Sequence, residues 1–104
     1  MTNRDIEDKL KALRDRFRHR LQDTRKIIAD WPDNTHVDEL ETLVHKLAGT
    51  AGTYGYHELS QQMRELEEQI RNIKDQDITD TQALNLYANA CALLDQALSQ
   101  SSRT

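Results

Sequence analysis

The sequence predicts an all-α fold, an antiparallel up-down-up-down four-helix bundle. Three observations predict it. Apolar residues recur at three- and four-residue steps in four separate stretches, the period of a helix with one buried face. Aromatic residues make up only 5% of the chain, with three glycines and one proline, too few turn-formers for a β-sandwich. Short polar connections join the stretches, which makes neighbouring helices antiparallel. A chain of 104 residues forms one domain, 1–104, with a core over about residues 4–98 and a polar tail at 99–104.

The first stretch carries Ile6, Leu10, Leu13, Phe17, Leu21 and Ile28 on one stripe, with Arg and Asp covering the remaining surface. Thr2 or Asn3 is placed to cap its start. The helix is expected to stop near Asp30, because Trp31-Pro32 forces the chain out of the α region. Trp31 is expected to fold back as a lid on the end of the core. Asn34 and Thr35 then offer an N-cap, with Asp38 three residues after Thr35 as in a capping box.

The second helix places Val37, Leu40, Val44, Leu47, Ala48 and Ala51 on one face. It is expected to end around Thr53-Tyr54-Gly55, where glycine provides the C-terminal stop. The third carries Tyr56, Leu59, Met63, Leu66, Ile70 and Ile73 and runs to Asn72 or Lys74. After the polar connection Lys74-Asp75-Gln76-Asp77, Thr79 or Asp80 caps a fourth helix. Its stripe includes Ala83, Leu84, Tyr87, Ala90, Cys91, Leu94 and Leu98, and residues 99–104 read as a frayed end. The tight link between the second and third helices makes them a hairpin.

Several classes of function are set aside by composition. Cys91 is the only cysteine, so no intramolecular disulfide forms. No apolar run approaches the roughly 20 residues that a bilayer span requires. The N-terminus is polar and acid-containing, unlike a targeting segment, so the cytoplasm is the expected location. The net charge of −4 argues against a general nucleic-acid binder. Residues 1–30 hold nine Lys/Arg against six Asp/Glu, a net +3, and the remainder five against twelve, a net −7. With acids interleaved among the bases, the first helix reads as a solvated face.

The second helix holds the one pattern that core packing does not explain. On a wheel of about 100° per residue, His45 falls about 120° from the centre of the apolar stripe, toward solvent. Gly49 lies one turn further on and Gly52 about two. Each interior glycine weakens a helix by roughly 1 kcal/mol relative to alanine. Side chains three and four residues apart are neighbours, so Gly49 leaves bare backbone beside the imidazole. That is a surface shaped for a large partner to approach a histidine. His19, His36 and His57 stand in no such pattern and read as ordinary solvated or packed residues.

From Val44 through Glu67 the sequence closely resembles the histidine-containing phosphotransfer (HPt) family of two-component phosphorelays. The family pattern runs His-x-Leu-x-Gly-small-small, then Gly ten residues after the His, Leu fourteen after, and Leu-Glu at twenty-one and twenty-two. His45, Leu47, Gly49, Thr50, Ala51, Gly55, Leu59, Leu66 and Glu67 stand at those positions. The motif spans about a quarter of the chain, and the four-helix layout matches the family over nearly all of it. There is one departure. Many family members carry lysine three residues after the histidine, where this chain has Ala48; Lys46, one residue after, is a variant cation position.

The resemblance implies a relay. His45 would accept a phosphoryl group through its exposed Nε2 from the receiver-domain aspartate of a hybrid sensor histidine kinase. It would then pass the group to the receiver domain of a response regulator. Histidine ordinarily titrates near about 6.5, so imidazole is mostly neutral and nucleophilic at pH 7. Glu67 maps onto the helix-three side chain that, in the family, holds the other ring nitrogen. Lys46 and Gly49 would support the site, and Gly52 and Thr53, with the facing part of the first helix, would form the docking surface. The chain shows no Gly-rich phosphate loop, Walker lysine or acidic metal pocket. It is therefore expected to be a monomeric phosphoryl carrier without kinase activity of its own. No cofactor is expected on it, with Mg²⁺ and a lysine supplied by the partner receiver.

Two other readings compete. A metal site would draw on His36, His45, His57 and Cys91, but these show neither paired i, i+4 histidines nor Cys-x-x-Cys spacing, so no metal is expected. The alternative function is a non-phosphorylated helical docking or adaptor protein that binds receivers or kinases. An intact His45 argues against it.

Overall fold

The computed structural model describes residues 3–101, in which four helices follow one another: α1 (Asn3–Ala29), α2 (Val37–Thr53), α3 (His57–Lys74) and α4 (Asp80–Ser101). A single 3₁₀ turn, Asn34–His36, precedes α2, and there is no strand among the described residues. The predicted all-α four-helix bundle is what the chain forms. α2 and α3 make an antiparallel hairpin, while α4 packs against both α1 and α3. Leu21, Leu40, Met63, Ile70 and Leu94 are completely buried where the four helices meet.

Two contacts give the sense of α1 against α4. The Arg25 guanidinium grips Asp95 with two hydrogen bonds, Nε to Oδ1 at 2.7 Å and NH2 to Oδ2 at 3.1 Å. Further along α1's direction, the Trp31 ring meets Tyr87 edge-on, with centroids 5.1 Å apart. Advancing along α1 is therefore retreating along α4. Trp31 is 8% exposed and lies flat on His36, the planes only 2° apart, so it closes the end of the core as expected.

The connection into α2 differs from the predicted cap. Asp33, not Asn34 or Thr35, accepts the hydrogen bonds there, taking the Thr35 N–H at 3.0 Å and the Thr35 hydroxyl as well. With its hydroxyl donated to Asp33, Thr35 sits in the middle of the 3₁₀ turn, and α2 begins at Val37 with no side-chain cap on His36. Asn34 instead ties this loop to the start of α4, through Asp80 Oδ1 and the Ile78 carbonyl at 3.0 and 2.6 Å. At α4 the Thr79 reading holds. Thr79 Oγ1 accepts from the Gln82 N–H while Gln82 Oε1 accepts from the Thr79 N–H, a reciprocal box.

Other expectations are corrected. Ile6, Leu10 and Leu13 are 47%, 49% and 39% exposed, and burial on α1 starts at Phe17. The reason is length. The hairpin tip reaches α1 at Phe17, whose ring meets Tyr54 and Tyr56 at tilted angles with centroids 5.2 Å away, and toward the N-terminus from Arg14 no other helix among the described residues covers the stripe. Leu84 is 44% exposed because it sits about 100° around α4 from Ala83, outside the buried arc, while Leu86 and Ala97 lie inside it. Residues 99–101 continue α4 instead of fraying, and residues 102–104 of the predicted tail lie outside the described residues. Asn3 is inside α1, and the Thr2 cap also lies outside the described residues.

These burials set an expectation for stability. Met63→Ala should lower the unfolding free energy by about 2–5 kcal/mol, the usual cost of emptying a core site. Leu10→Gln and Leu84→Gln should stay within about 0.5 kcal/mol, as exposed substitutions do. Urea denaturation of the three variants against the parent chain measures both.

Candidate functional site

The site is built on the α2–α3 hairpin, so its geometry begins at the turn. Gly55 has φ +86°, a conformation that side-chain-bearing residues rarely adopt. Its neighbours' amides, Tyr54 N–H and Tyr56 N–H, both return to the Ala51 carbonyl at 3.2 and 2.9 Å, closing α2. Just inside the turn the two helices touch. The buried Ser60 hydroxyl donates to the Ala48 carbonyl at 2.6 Å, and a Cβ added to Gly52 would meet Ser60 Oγ at 3.4 Å. Gly52, half-buried, thus faces α3 and serves the close approach of the helices.

From that contact the register runs on. His45 lies seven residues back from Gly52 along α2, and Glu67 seven residues forward from Ser60 along α3. They meet: His45 Nδ1 is 2.7 Å from Glu67 Oε2. Four residues further, Arg71 Nε stands 3.5 Å from Glu41 Oε1, and Arg71 NH2 reaches back to Glu67 Oε1 at 3.3 Å. Three further still, Lys74 Nζ lies 2.9 Å from both Asp38 Oδ1 and Glu41 Oε2. Steps of seven, four and three are turns of one helix face. The result is a continuous rail of alternating charge leading from Lys74 to the imidazole.

A carboxylate only accepts hydrogen bonds, so in the neutral imidazole the pairing assigns the proton to Nδ1 of His45 and leaves the Nε2 lone pair free. Burial divides the pair: the His45 side chain is 69% exposed and that of Glu67 only 12%. A nucleophilic nitrogen is thereby presented to solvent while its partner is held in the groove. The hydrogen bond from Lys74 holds the Glu41 carboxyl below the usual carboxylate range, and Asp38 with Glu41 raises the Lys74 ammonium.

The remaining candidates line the outward side of α2. A Cβ added at Gly49 meets nothing within 4 Å, so the shelf beside the imidazole is open space with no packing reason for a glycine. Lys46 is exposed and forms no ion pair among the described residues. Thr50 and Thr53 return their hydroxyls to the Lys46 and Gly49 carbonyls of their own helix. Ala48, where the lysine of the resembling family would stand, is 5% exposed and turned inward. Alongside, an open groove between α1 and α2 is lined by Ile27, Thr42 and Leu43.

His36 bonds to Glu39 and stacks on Trp31, away from this site. No group of three His, Cys, Asp or Glu side chains suited to a metal gathers among the described residues. Reading the sequence for chemistry missed Arg71, Glu41, Lys74 and Asp38. A signal for them existed: Glu67 and Arg71 are an i, i+4 pair of opposite charge, and Asp38, Glu41 and His45 follow three- and four-residue steps.

The family model for the Hpt domain matches residues 10–104 of this chain. No curated protein and no solved structure matches it.

Two outcomes are expected from this geometry. Gly49→Ala should stabilise the isolated protein by about 0.5–1 kcal/mol, since alanine gains helix propensity and the new methyl meets no neighbour; thermal unfolding reads this directly. Glu41 binds its proton at lower pH folded than unfolded, so its contribution is present above the ordinary carboxylate range of about 4 and disappears as pH falls through the folded value. The melting temperature of the parent should therefore drop more steeply below about pH 4.5 than that of Glu41→Gln.

Proposed function

The chain belongs to the Hpt domain family, whose members carry out histidine phosphotransfer in two-component signalling, and from that premise we propose that His45 is its phosphoryl acceptor and donor. The donor would be the receiver-domain aspartyl phosphate of a hybrid sensor histidine kinase, and the recipient the receiver-domain aspartate of a response regulator. One observation carries the reading. His45 is strongly exposed, and its Nδ1 is engaged by a half-buried carboxylate on the neighbouring helix.

The chemistry follows from that hydrogen bond. The Nε2 lone pair attacks the phosphorus of the aspartyl phosphate. As the N–P bond forms, the P–O bond to the aspartate breaks and its carboxylate leaves with the electron pair. The ring keeps its Nδ1 proton and so acquires positive charge, which Glu67 meets at 2.7 Å. Transfer onward reverses the sequence, with the recipient's carboxylate oxygen as nucleophile. Phosphoryl transfer depends on positioning and charge neutralisation. In our reading the receiver brings the Mg²⁺ and lysine that neutralise the moving group.

The docking surface of this reading is the outward side of α2. Gly49 gives the open shelf beside His45, Lys46 offers a cation with no ion pair among the described residues, and Thr53 lies toward the hairpin tip, while Gly52 faces α3 and sets the helix spacing behind this surface. The groove where Ile27 meets Thr42 and Leu43 extends it onto α1. No helix among the described residues is long and apolar enough to cross a membrane. We place the carrier in the cytoplasm as a monomer, with the His45 face free for alternating receivers, and without kinase activity of its own.

Phosphoryl transfer from a panel of phosphorylated receiver domains tests the proposal. Acid-labile, alkali-stable label is expected on the parent chain and none on His45→Gln. Label that persists in His45→Gln would move the acceptor elsewhere. Receivers that bind the parent chain without labelling it would leave a docking protein. Gly49→Arg, which fills the shelf, should keep the fold and slow transfer from the receiver by about tenfold or more, as misplacement of reacting groups does.

A further inference from the structure

The two oxygens of Glu67 are divided between two partners. Oε2 faces His45 Nδ1 at 2.7 Å, and Oε1 faces Arg71 NH2 at 3.3 Å. The other edge of the same guanidinium looks to α2, with Nε 3.5 Å from Glu41 Oε1. Glu41 is in turn fixed by Lys74 on its second oxygen at 2.9 Å. Glu41 and Glu67 are therefore joined across the hairpin groove by one planar fork.

This arrangement bears on the imidazole. The terminal torsion of a glutamate is broad, with little intrinsic preference. A carboxylate bonded only to an exposed ring is free to turn toward water, and the ring is then free to take its proton on either nitrogen. Occupying Oε1 removes that freedom. Arg71 suits the task because its donors are rigidly spaced, whereas a lysine is a flexible point charge. Along the groove Glu67 and His45 are followed by Arg71, Glu41 and Lys74, with Asp38 beyond, a chain of ion pairs drawn from both helices.

We propose that Arg71 is a positioning residue for phosphoryl transfer: by spanning Glu67 and Glu41 it keeps Glu67 Oε2 on Nδ1 of His45, so that Nε2 stays unprotonated and outward. The inference rests on His45 being the phosphoryl acceptor. Glu41 is the anchor that holds the guanidinium on the carboxylates.

The tautomer of His45, read by long-range ¹⁵N–¹H correlation on the unphosphorylated chain, tests this without any phosphoryl donor. Phosphoramidate gives the second readout: its N–P bond breaks, ammonia leaves, and the phosphoryl group is taken by Nε2. In Arg71→Gln the proton should shift toward Nε2, and uptake from phosphoramidate should fall by about tenfold, the lower end of what outer-shell partners of functional histidines contribute. Glu41→Gln should move both in the same direction by less, and Arg71→Lys should fall between Arg71→Gln and the parent. Circular dichroism confirms that each variant keeps its helices, as expected for a side chain 59% exposed.

An unchanged tautomer and unchanged uptake in folded Arg71→Gln would overturn the proposal. So would an unchanged tautomer with an altered lifetime of the phosphohistidine, which would make Arg71 a ligand of the phosphoryl group. A shifted tautomer in a chain that takes no label from any donor would uphold the positioning of the ring and overturn the carrier reading instead.

Discussion

The hydrogen bond from Ser60 to the Ala48 carbonyl fixes more of this molecule than any other single contact. It is buried, and a buried hydroxyl without a partner is costly, so the helices cannot slide past one another without losing it. Gly52 sits against the same serine, which brings the two backbones close. Once the hairpin is pinned there, helical geometry places Glu67 opposite His45, Arg71 opposite Glu41 and Lys74 opposite Asp38. The site is thus a consequence of register at the turn, not of loops brought together around it.

α2 serves three environments at once. Its inward arc, including Leu40, Val44 and Leu47, is sealed in the core. Its flank toward α3 carries the charged rail. Its outward arc lies open to solvent around Gly49. Exposed ion pairs such as these typically contribute no more than about 1 kcal/mol each to stability, so the rail's effect lies in orientation. This division lets a nucleophile be restrained on one side and open on the other. A histidine sunk deeper would be better held but unreachable by a protein-sized partner.

Much of this was legible in the sequence. The four helices, the hairpin, the Trp31 lid and the outward direction of His45 follow from period, Pro32, Gly55 and a wheel. What the pattern does not encode is the length of the neighbouring elements. Ile6, Leu10 and Leu13 keep perfect helical spacing past the point where any described helix remains to cover them. Leu84 fails for a related reason, since a stripe drawn from hydrophobic residues is wider than the arc two neighbouring helices can bury. The Asp33 turn escaped because Thr35 can cap or be capped, and only the loop's path decides. The rail escaped because arginines and glutamates on exposed helices ordinarily signify nothing beyond solvation. Its meaning needs the partner helix in place.

The uncovered half of α1 carries a consequence for how this protein opens. Between Asn3 and Leu13 the apolar stripe of α1, with Ile6, Leu10 and Leu13, is left exposed, and a helical segment with so little buried surface is marginal in water. Unwinding can begin at that end without disturbing the core. It meets its first real resistance at Phe17, wedged between Tyr54 and Tyr56. Amide protons on α1 would then exchange with solvent along a gradient, fast at the tip and slow from Phe17 inward, rather than as one cooperative block. The bundle would have a soft end and a hard end, and His45 stands on α2 behind the boundary, within the hard one.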